Sequence, residues 1–124
     1  MANPFLHIEL QTNDVASAKK FYTSLFDWTL EDLPVPDTEA YPLIKTGEAP
    51  NGGIFGLPKG SRPYWLTYIK VGDIKASVAK AKQLGATIVE EISEFGEYGW
   101  MSVISDPAGA VFAIWQYREE VAEH

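Results

Sequence analysis

The chain contains one order of predicted elements twice, and this repeat constrains its fold more than any other feature. Asp14 and Asp73 lie 59 residues apart, and each is a good helix N-cap followed by apolar residues at spacings of three and four. Each half is predicted as strand, helix, strand, strand, strand. Two unrelated α+β halves would have a similar composition, but the matching element order favours an internal duplication.

Alternating apolar and polar residues predict the first strand over Phe5 to Gln11, with His7 and Glu9 on one face and Leu10 on the other. Further strands of the first half are predicted at Trp28–Glu31, Tyr41–Thr46 and Gly53–Leu57. In the second half we predict a helix that ends at Gly85 and strands at Trp65–Val71, Ile88–Ile92, Trp100–Ile104 and Val111–Tyr117. The prediction is thus one domain, 1–124, with modules 5–57 and 64–118 joined by a connector, 58–63.

Composition narrows the possible functions. With 124 residues, 46% of them hydrophobic, the chain can form one globular domain. Seventeen acidic and 10 basic residues disfavour binding to nucleic acid or to an anionic membrane. The absence of cysteine excludes disulfides, thiolate metal sites and a cysteine nucleophile. Met1 to Phe5 do not resemble a secretory signal, so we expect a cytoplasmic protein.

Three segments resemble the vicinal oxygen chelate superfamily of glyoxalases, bleomycin-resistance proteins and extradiol dioxygenases. They are His7-Ile8-Glu9-Leu10 with Asp14 and Ala18 to Tyr22, then Val71-Gly72-Asp73 with Leu84-Gly85, and Asp106-Pro107-Ala108-Gly109-Ala110. Small glyoxalase-like members have Phe-Gly-Trp after the first helix, where this chain has Phe26-Asp27-Trp28. The resemblance implies an α+β fold in which two tandem βαβββ modules form a curled mixed sheet, or cup, with helices on its outer face. It also implies a homodimer.

Metal-dependent members of this superfamily use four ligands, and the resemblance places the first of them at His7. The other three positions fall on Gly53 to Gly56, on Leu66 and on Ala113, which offer no side-chain ligand. The second histidine, His124, lies in the acidic tail. We therefore expect no metal or other cofactor, with a divalent ion held by His7 and Glu9 as the alternative.

His7 and Glu9 are the candidate catalytic residues, since an imidazole and a carboxylate on a concave face suit acid–base chemistry or ligand anchoring. The structural alternative is a hydrogen-bonded core histidine beside a solvated carboxylate. Strand alternation adds Tyr68 and Trp115 to the cup face as stacking surfaces, and Trp28 and Trp100 are further candidate ligand contacts. These rings could equally fill the cup or form a dimer interface. The segment 95–99 is either a mobile lid or an ordinary turn.

Three functions are consistent with these residues. The first is a metal-free protein that binds an apolar or aromatic small molecule, as in the bleomycin-resistance branch. The second is a lyase, isomerase or dioxygenase that uses His7 and Glu9 with or without a divalent metal. The third is a structural module with a filled cup. The fold alone does not decide among them.

Overall fold

A computed structural model describes residues 2–35 and 39–118. His124, considered above as a metal ligand, lies outside the described residues. The chain divides into two compact units, one of residues 6–67 and one of residues 2–5 with 68–118.

The first unit contains one helix and a four-stranded sheet. Its elements are β1 (Phe5–Thr12), α1 (Val15–Leu25), β2 (Thr29–Leu33), β3 (Tyr41–Lys45) and β4 (Gly52–Gly56). The strand order is β2-β3-β4-β1, in which β4 lies between β3 and β1. β1 runs parallel to β4 with Glu9 opposite Gly53, and the other pairings are antiparallel. This strand order brings β3 close to β1, although the two are far apart in sequence.

The second unit repeats the arrangement. Its elements are the end of β5 (Tyr64–Lys70), whose residues 64–67 belong to the first unit, and α2 (Ile74–Gln83), β6 (Thr87–Phe95), β7 (Gly99–Ser105) and β8 (Val111–Tyr117). The strand order is β5-β8-β7-β6, with β5 parallel to β8 and Tyr68 opposite Ala113. The N-terminal residues join this unit, since the Lys70 amide donates to the Pro4 carbonyl. The predicted α+β fold with two βαβββ repeats is confirmed.

Both helices begin as the sequence predicts. The Asp14 side chain accepts a hydrogen bond from the Ser17 amide at 3.0 Å, and Asp73 accepts one from the Ala76 amide at 3.1 Å. Each carboxylate thus satisfies one of the amides that a first helical turn leaves without a backbone partner. α2 ends at Gln83, just before the predicted stop at Gly85.

Each helix covers one face of its own sheet. In the first unit Leu10, Ile44 and Ile54 are buried against residues of α1, among them Tyr22. In the second unit the buried cluster is Val71, Ile74, Val78, Ile104 and Ile114. The alternation predicted for β1 and β8 is confirmed, because Leu10 and Ile114 belong to these helix-facing clusters. None of the helices within residues 2–35 and 39–118 has the length and apolar character needed to cross a membrane.

The largest difference from the predicted elements is in β6, which runs to Phe95 rather than to Ile92. Two register irregularities interrupt its pairing with β7, between Ile88 and Glu90 and between Glu90 and Ser93. An irregularity of this kind shifts the side-chain alternation by one residue, so a prediction based on strict alternation ends the strand too early.

Candidate functional site

Four polar side chains form one hydrogen-bonded group in the first unit, called here the polar cluster: His7, Glu9, Gln11 and Tyr41. The Tyr41 hydroxyl donates to Glu9 Oε2 at 2.6 Å and lies 2.9 Å from His7 Nε2. The Gln11 amide nitrogen donates to Glu9 Oε1 at 2.6 Å. Both predicted candidates therefore belong to one network, and Tyr41 links them.

Strand geometry explains how these side chains meet. His7, Glu9 and Gln11 alternate along β1 with residues such as Leu10, so they lie on the sheet face away from α1. Tyr41 begins β3, which is separated from β1 by β4. Its side chain must therefore cross β4 to reach Glu9.

Gly53 makes that crossing possible. It lies opposite Glu9 on one side and opposite Leu43 on the other. A Cβ atom at Gly53 would overlap the Tyr41 hydroxyl and ring. The absence of a side chain on β4 at this position is thus a requirement for the polar cluster.

The cluster is largely removed from solvent. Glu9 is only 4% exposed, and Tyr41 and Gln11 are also buried. Burial lowers the pKa of the His7 imidazole to about 4, so His7 is neutral at neutral pH. Each Glu9 oxygen accepts a short hydrogen bond from a neighbouring side chain. The cluster thus combines a carboxyl group with a neutral imidazole.

The donor set does not fit the divalent metal found in other members of the resembled superfamily. Among the described residues there is no group of three or more histidine, cysteine, aspartate or glutamate side chains placed to hold an ion. The two candidate ligand atoms, His7 Nε2 and Glu9 Oε2, both form hydrogen bonds with the Tyr41 hydroxyl. A zinc site normally takes at least three protein ligands. We therefore derive no chemical step through a metal.

The second unit has an aromatic cluster, defined here as Tyr68, Phe95, Trp115 and Tyr117. The Trp115 ring makes edge contacts with the other three rings at centroid distances of 5.9–6.3 Å. Tyr68 is 5% exposed, whereas Trp115 is half-buried. The indole rests on the strand at Gly99, where an added Cβ atom would overlap Trp115 ring carbons. Of Tyr68 and Trp115, the two predicted stacking residues, Trp115 is the more accessible.

The Trp115 indole nitrogen is a buried donor. Among the described residues it is the one buried side-chain nitrogen or oxygen for which no hydrogen-bond partner is found. An unsatisfied buried donor costs on the order of 1–3 kcal/mol. The exposed part of Trp115 therefore does not include its N–H group.

Trp28 and Trp100 lie elsewhere. Trp28 packs with the helix-facing cluster of the first unit, and Trp100 packs with that of the second. The guanidinium of Arg118 also stacks over the Trp100 ring at 4.6 Å. Neither side chain joins the polar or the aromatic cluster, so ligand contact by these two tryptophans stays a prediction with no structural support.

The segment 95–99 is a hairpin turn between β6 and β7. The Tyr98 amide donates to the Phe95 carbonyl at 3.1 Å, and the Arg118 amide donates to the Tyr98 carbonyl at 3.0 Å. These bonds fix both ends of the segment, which favours the turn over the lid.

Sequence reasoning missed Tyr41, Gln11 and Gly53 as parts of the site. Gln11 has the same strand parity as His7 and Glu9, so its position was available from the alternation. The role of Tyr41 depends on a contact across 32 residues and on the order of three strands. No local pattern indicates such a contact.

Comparison with known proteins places the chain among relatives of established families. The model of the Glyoxalase/Bleomycin resistance protein/Dioxygenase superfamily matches residues 5–114. Over 119 residues the chain is 40% identical to "Putative glyoxylase CFP32" of Mycobacterium tuberculosis, covering 92% of this chain and 46% of that protein. It is 25% identical over 127 residues to "Anthracycline biosynthesis protein DnrV" of Streptomyces peucetius, covering 87% and 45%. The chain spans about half the length of the curated relatives it matches.

Solved structures agree in fold. A methylmalonyl-CoA epimerase from Mycobacterium tuberculosis matches with a TM-score of 0.67 at 16% identity, over 95% of this chain and 90% of that one. The hypothetical protein BH1468 from Bacillus halodurans matches with a TM-score of 0.69 at 16% identity, over 99% and 100%. Together with the family-model match, these likenesses agree with the resemblance seen in the sequence. The chain belongs to the Glyoxalase/Bleomycin resistance protein/Dioxygenase superfamily.

Proposed function

We propose that the chain binds a small molecule with an apolar or aromatic part, anchored by His7 and Glu9 without a metal ion. The observation that carries this proposal is the buried carboxylate of Glu9 on the sheet face away from α1. Burying a charge costs free energy, and well-packed apolar side chains often stabilise a fold at least as well. A few fixed polar groups are what a small-molecule site needs for orientation and specificity.

The aromatic cluster of the second unit is a separate candidate surface for an aromatic ligand. The half-buried Trp115 indole offers a ring face for stacking, and the buried Tyr68 ring holds it in place through an edge contact. Aromatic pairs of this kind contribute about 0.5–1.5 kcal/mol beyond the burial of their area. We propose Trp115 as the stacking residue and Tyr68 as its support.

The names of the relatives suggest probes for the experiment. The family description includes bleomycin resistance, and one relative is named for anthracycline biosynthesis. An anthracycline and a panel of fused aromatic heterocycles therefore make a rational first library. Binding is followed by the fluorescence of the four tryptophans.

Two substitutions of the same chemistry test the polar anchor. Glu9→Gln replaces the buried carboxyl group by an amide, and Glu91→Gln makes the same change at an exposed position on β6. For a compound that binds the wild type, we expect Glu9→Gln and His7→Ala to weaken binding at least ~10-fold, equivalent to 1.4 kcal/mol. Glu91→Gln should leave the affinity unchanged. A library without a single binder, or binding that both substitutions leave intact, would contradict the proposal.

Acid–base catalysis is the second candidate function. The favouring observation is a neutral His7 linked through Tyr41 to a carboxylate, since a neutral imidazole can take a proton from a substrate. The relative named as a glyoxylase makes glyoxalase activity the first assay, performed with a chelator to exclude metal-dependent turnover. A lyase or isomerase of this kind should lose about 10²-fold or more in rate in His7→Ala while its melting temperature changes little. Absence of turnover in the wild type would contradict this second function, and the binding function would remain.

A homodimer and a cytoplasmic location belong to the same proposal. The dimer has support in the first unit, where Phe21 and Leu25 of α1 are each 57% exposed. Large exposed apolar side chains on one helix suit contact with a second copy of the chain. Sedimentation equilibrium should give twice the chain mass, and a charged substitution, Leu25→Glu, should shift the protein to monomer. Sedimentation of the wild type as a monomer at micromolar concentration would contradict the dimer.

A further inference from the structure

We infer that Gln11 and Phe55 form a ligand-contact pair on the first unit, which takes a flat aromatic compound that carries a hydrogen-bond donor. Phe55 supplies the apolar contact, and the side-chain carbonyl of Gln11 accepts the hydrogen bond. The inference rests on the proposed function and deepens it, because it adds two contacts and a required ligand group on the sheet face that holds the polar cluster.

Strand register places the two side chains next to each other. β4 runs parallel to β1, and Phe55 lies directly opposite Gln11. Ile54 is buried against α1, and a Cβ atom at Gly56 would come within 3.3 Å of Val15 in α1. Phe55, between them, therefore points to the face away from α1, where Gln11 lies as a member of the polar cluster. Adjacent strands are only about 4.8 Å apart, so one small molecule can contact both side chains.

Phe55 is an exposed aromatic side chain beside buried polar ones. It is 42% exposed, whereas Glu9, Gln11 and Tyr41 on the same sheet face are 4–7% exposed. α1 packs on the opposite face and does not cover the ring. A ligand that covers the ring removes apolar surface from water, and this stabilises the complex. Phe55 is therefore an apolar contact surface within the same unit as the polar cluster.

The Gln11 amide is bonded at one end only. Its nitrogen donates to Glu9 Oε1, and within the described residues its carbonyl oxygen has no hydrogen-bond partner. Trp115 Nε1 is the one described side-chain atom without a partner that is sealed from solvent, so Gln11 Oε1 can still be reached. Burial of the side chain and the bond to Glu9 hold the amide in place. Gln11 Oε1 is thus a preformed acceptor.

These two contacts specify the chemical class of the ligand. The carbonyl oxygen of Gln11 accepts only from an O–H or N–H group. A compound without such a group would displace water from this oxygen and leave it unpaired, which weakens binding. The Phe55 ring favours an aromatic partner, since two rings can stack or pack edge to face. A phenol or an aromatic amine meets both requirements, and the methyl ether of the same phenol meets only the second.

The probes are 2-naphthol and 2-methoxynaphthalene, which share a ring system and differ in the donor. Each is titrated into the wild type at pH 7 and followed by ¹H–¹⁵N correlation spectra, in which triple-resonance experiments assign the Gln11 side-chain amide. We expect 2-naphthol to shift the Gln11 amide signals and to bind at least ~5-fold more tightly than the ether, as one neutral hydrogen bond provides. An unshifted Gln11 amide at millimolar 2-naphthol, or equal affinities of the two probes, would overturn the inference.

Two glutamine variants test the acceptor. Gln11→Met keeps the length of the side chain without the carbonyl, so we expect the preference for 2-naphthol over the ether to disappear. Gln83→Met makes the same change at the exposed end of α2 and should keep the preference. A preference that persists in Gln11→Met would contradict the role of this carbonyl. If Gln11→Met does not fold, the wild-type amide shift and affinity ratio still decide.

Two phenylalanine variants of similar exposure test the apolar contact. Phe55→Ala should weaken the binding of both probes at least ~10-fold, since the ring contact is lost. Phe26→Ala removes a ring that is 45% exposed at the end of α1 and should weaken neither. Unchanged affinities in Phe55→Ala would overturn the inference.

A second copy of the chain is the other possible occupant of the Phe55 surface. Sedimentation equilibrium of Phe55→Ala beside the wild type distinguishes the two. We expect the same association state for both proteins. Loss of a wild-type dimer in Phe55→Ala would assign the ring to a contact between copies and overturn the inference.

Failure of this inference can be told apart from failure of the proposed function. If a library compound binds through His7 and Glu9 while Gln11→Met and Phe55→Ala leave its affinity unchanged, only the present inference is lost. If 2-naphthol binds through Gln11 and Phe55 while His7→Ala and Glu9→Gln leave its affinity unchanged, only the polar anchor of the proposed function is lost.

Discussion

Burying the Glu9 carboxylate costs free energy, which its neighbours offset with directed hydrogen bonds. Tyr41 and Gln11 each donate to one of its oxygens, and both donors are themselves buried. Removing one partner from such a group is usually more costly than replacing the whole group by apolar residues. At the scale of single residues the cluster therefore has a cost in stability that apolar residues would not have. This cost is why we assign the cluster a function.

Gly53 provides a direct test of the cluster's geometry. Gly53→Ala should lower the free energy of unfolding by about 1–3 kcal/mol, since the new methyl group overlaps the Tyr41 ring. Gly72→Ala is the control, because an added Cβ atom there meets no atom within 4 Å. Urea denaturation of both variants measures the difference. Equal stability of the two would show that Tyr41 does not cross the sheet at Gly53.

The lowered pKa of His7 makes stability depend on pH. Between about 4, the pKa of folded His7, and 6.5, its ordinary value, the unfolded chain binds a proton that the folded chain does not. The folded state therefore loses stability as pH falls through this window, by up to about 3 kcal/mol from this group.

The variant His7→Gln isolates that contribution, since every carboxylate still titrates in it. Its stability should fall less steeply than that of the wild type between pH 6.5 and 4, as measured by denaturation at several pH values. His124→Gln serves as the control and should follow the wild type. Parallel curves for wild type and His7→Gln would contradict the lowered pKa of His7.

At the scale of elements, the two helices owe their first turns to equivalent aspartates. Asp14→Ala and Asp73→Ala each remove a side chain that accepts a first-turn amide. Each substitution should cost about 0.5–2 kcal/mol, as losses of N-caps generally do. Thermal denaturation of the two variants measures the effect. The control is Asp27→Ala, which removes a carboxylate at an exposed position. Loss of stability no greater than in Asp27→Ala would contradict the capping role.

The turn before β8 shows how local sequence can determine an element. The Asp106 side chain accepts hydrogen bonds from the amides of Ala108, Gly109 and Ala110 at 2.9–3.0 Å. These bonds lower the pKa of the Asp106 carboxyl. All the atoms involved lie within five residues, which is why a short motif predicts this turn correctly.

Elements with such local signals could be predicted, and the contacts of the site could not. Alternation placed Leu10 on the helix-facing side of β1, and it placed His7 with Glu9 on the opposite face. The bond from Tyr41 to Glu9 depends on β4 separating β3 from β1 and on a glycine at the crossing. Strand order follows from the packing of the whole unit, so it cannot be inferred from a short stretch of sequence.

At the scale of the whole molecule, the repeats share an element order but differ in the chemistry of their sheets. The first unit holds the polar cluster, and the second holds rings around Trp115. A repeated fold thus provides two scaffolds on which different side chains can be placed. Function in this chain is assigned from those side chains rather than from the repeat.

Substitutions in the aromatic cluster are predicted to affect the stability of the fold at one residue and ligand binding at another. Tyr68→Ala should cost about 3–5 kcal/mol, as truncation of a buried aromatic side chain does, because Tyr68 is 5% exposed. Trp115→Leu, at a half-buried position, should weaken the binding of aromatic ligands more than it lowers stability. Chemical denaturation and ligand titration of both variants measure the two effects. A small stability loss in Tyr68→Ala would contradict its supporting role.

The central claim is that the polar cluster works without a metal ion, and elemental analysis tests it most directly. Untagged protein is incubated with excess divalent zinc, manganese or nickel, dialysed and analysed alongside His7→Ala. The account predicts far less than one ion per chain in the wild type and no difference between the two proteins. Close to one ion per wild-type chain, lost in His7→Ala, would contradict it and make His7 a metal ligand.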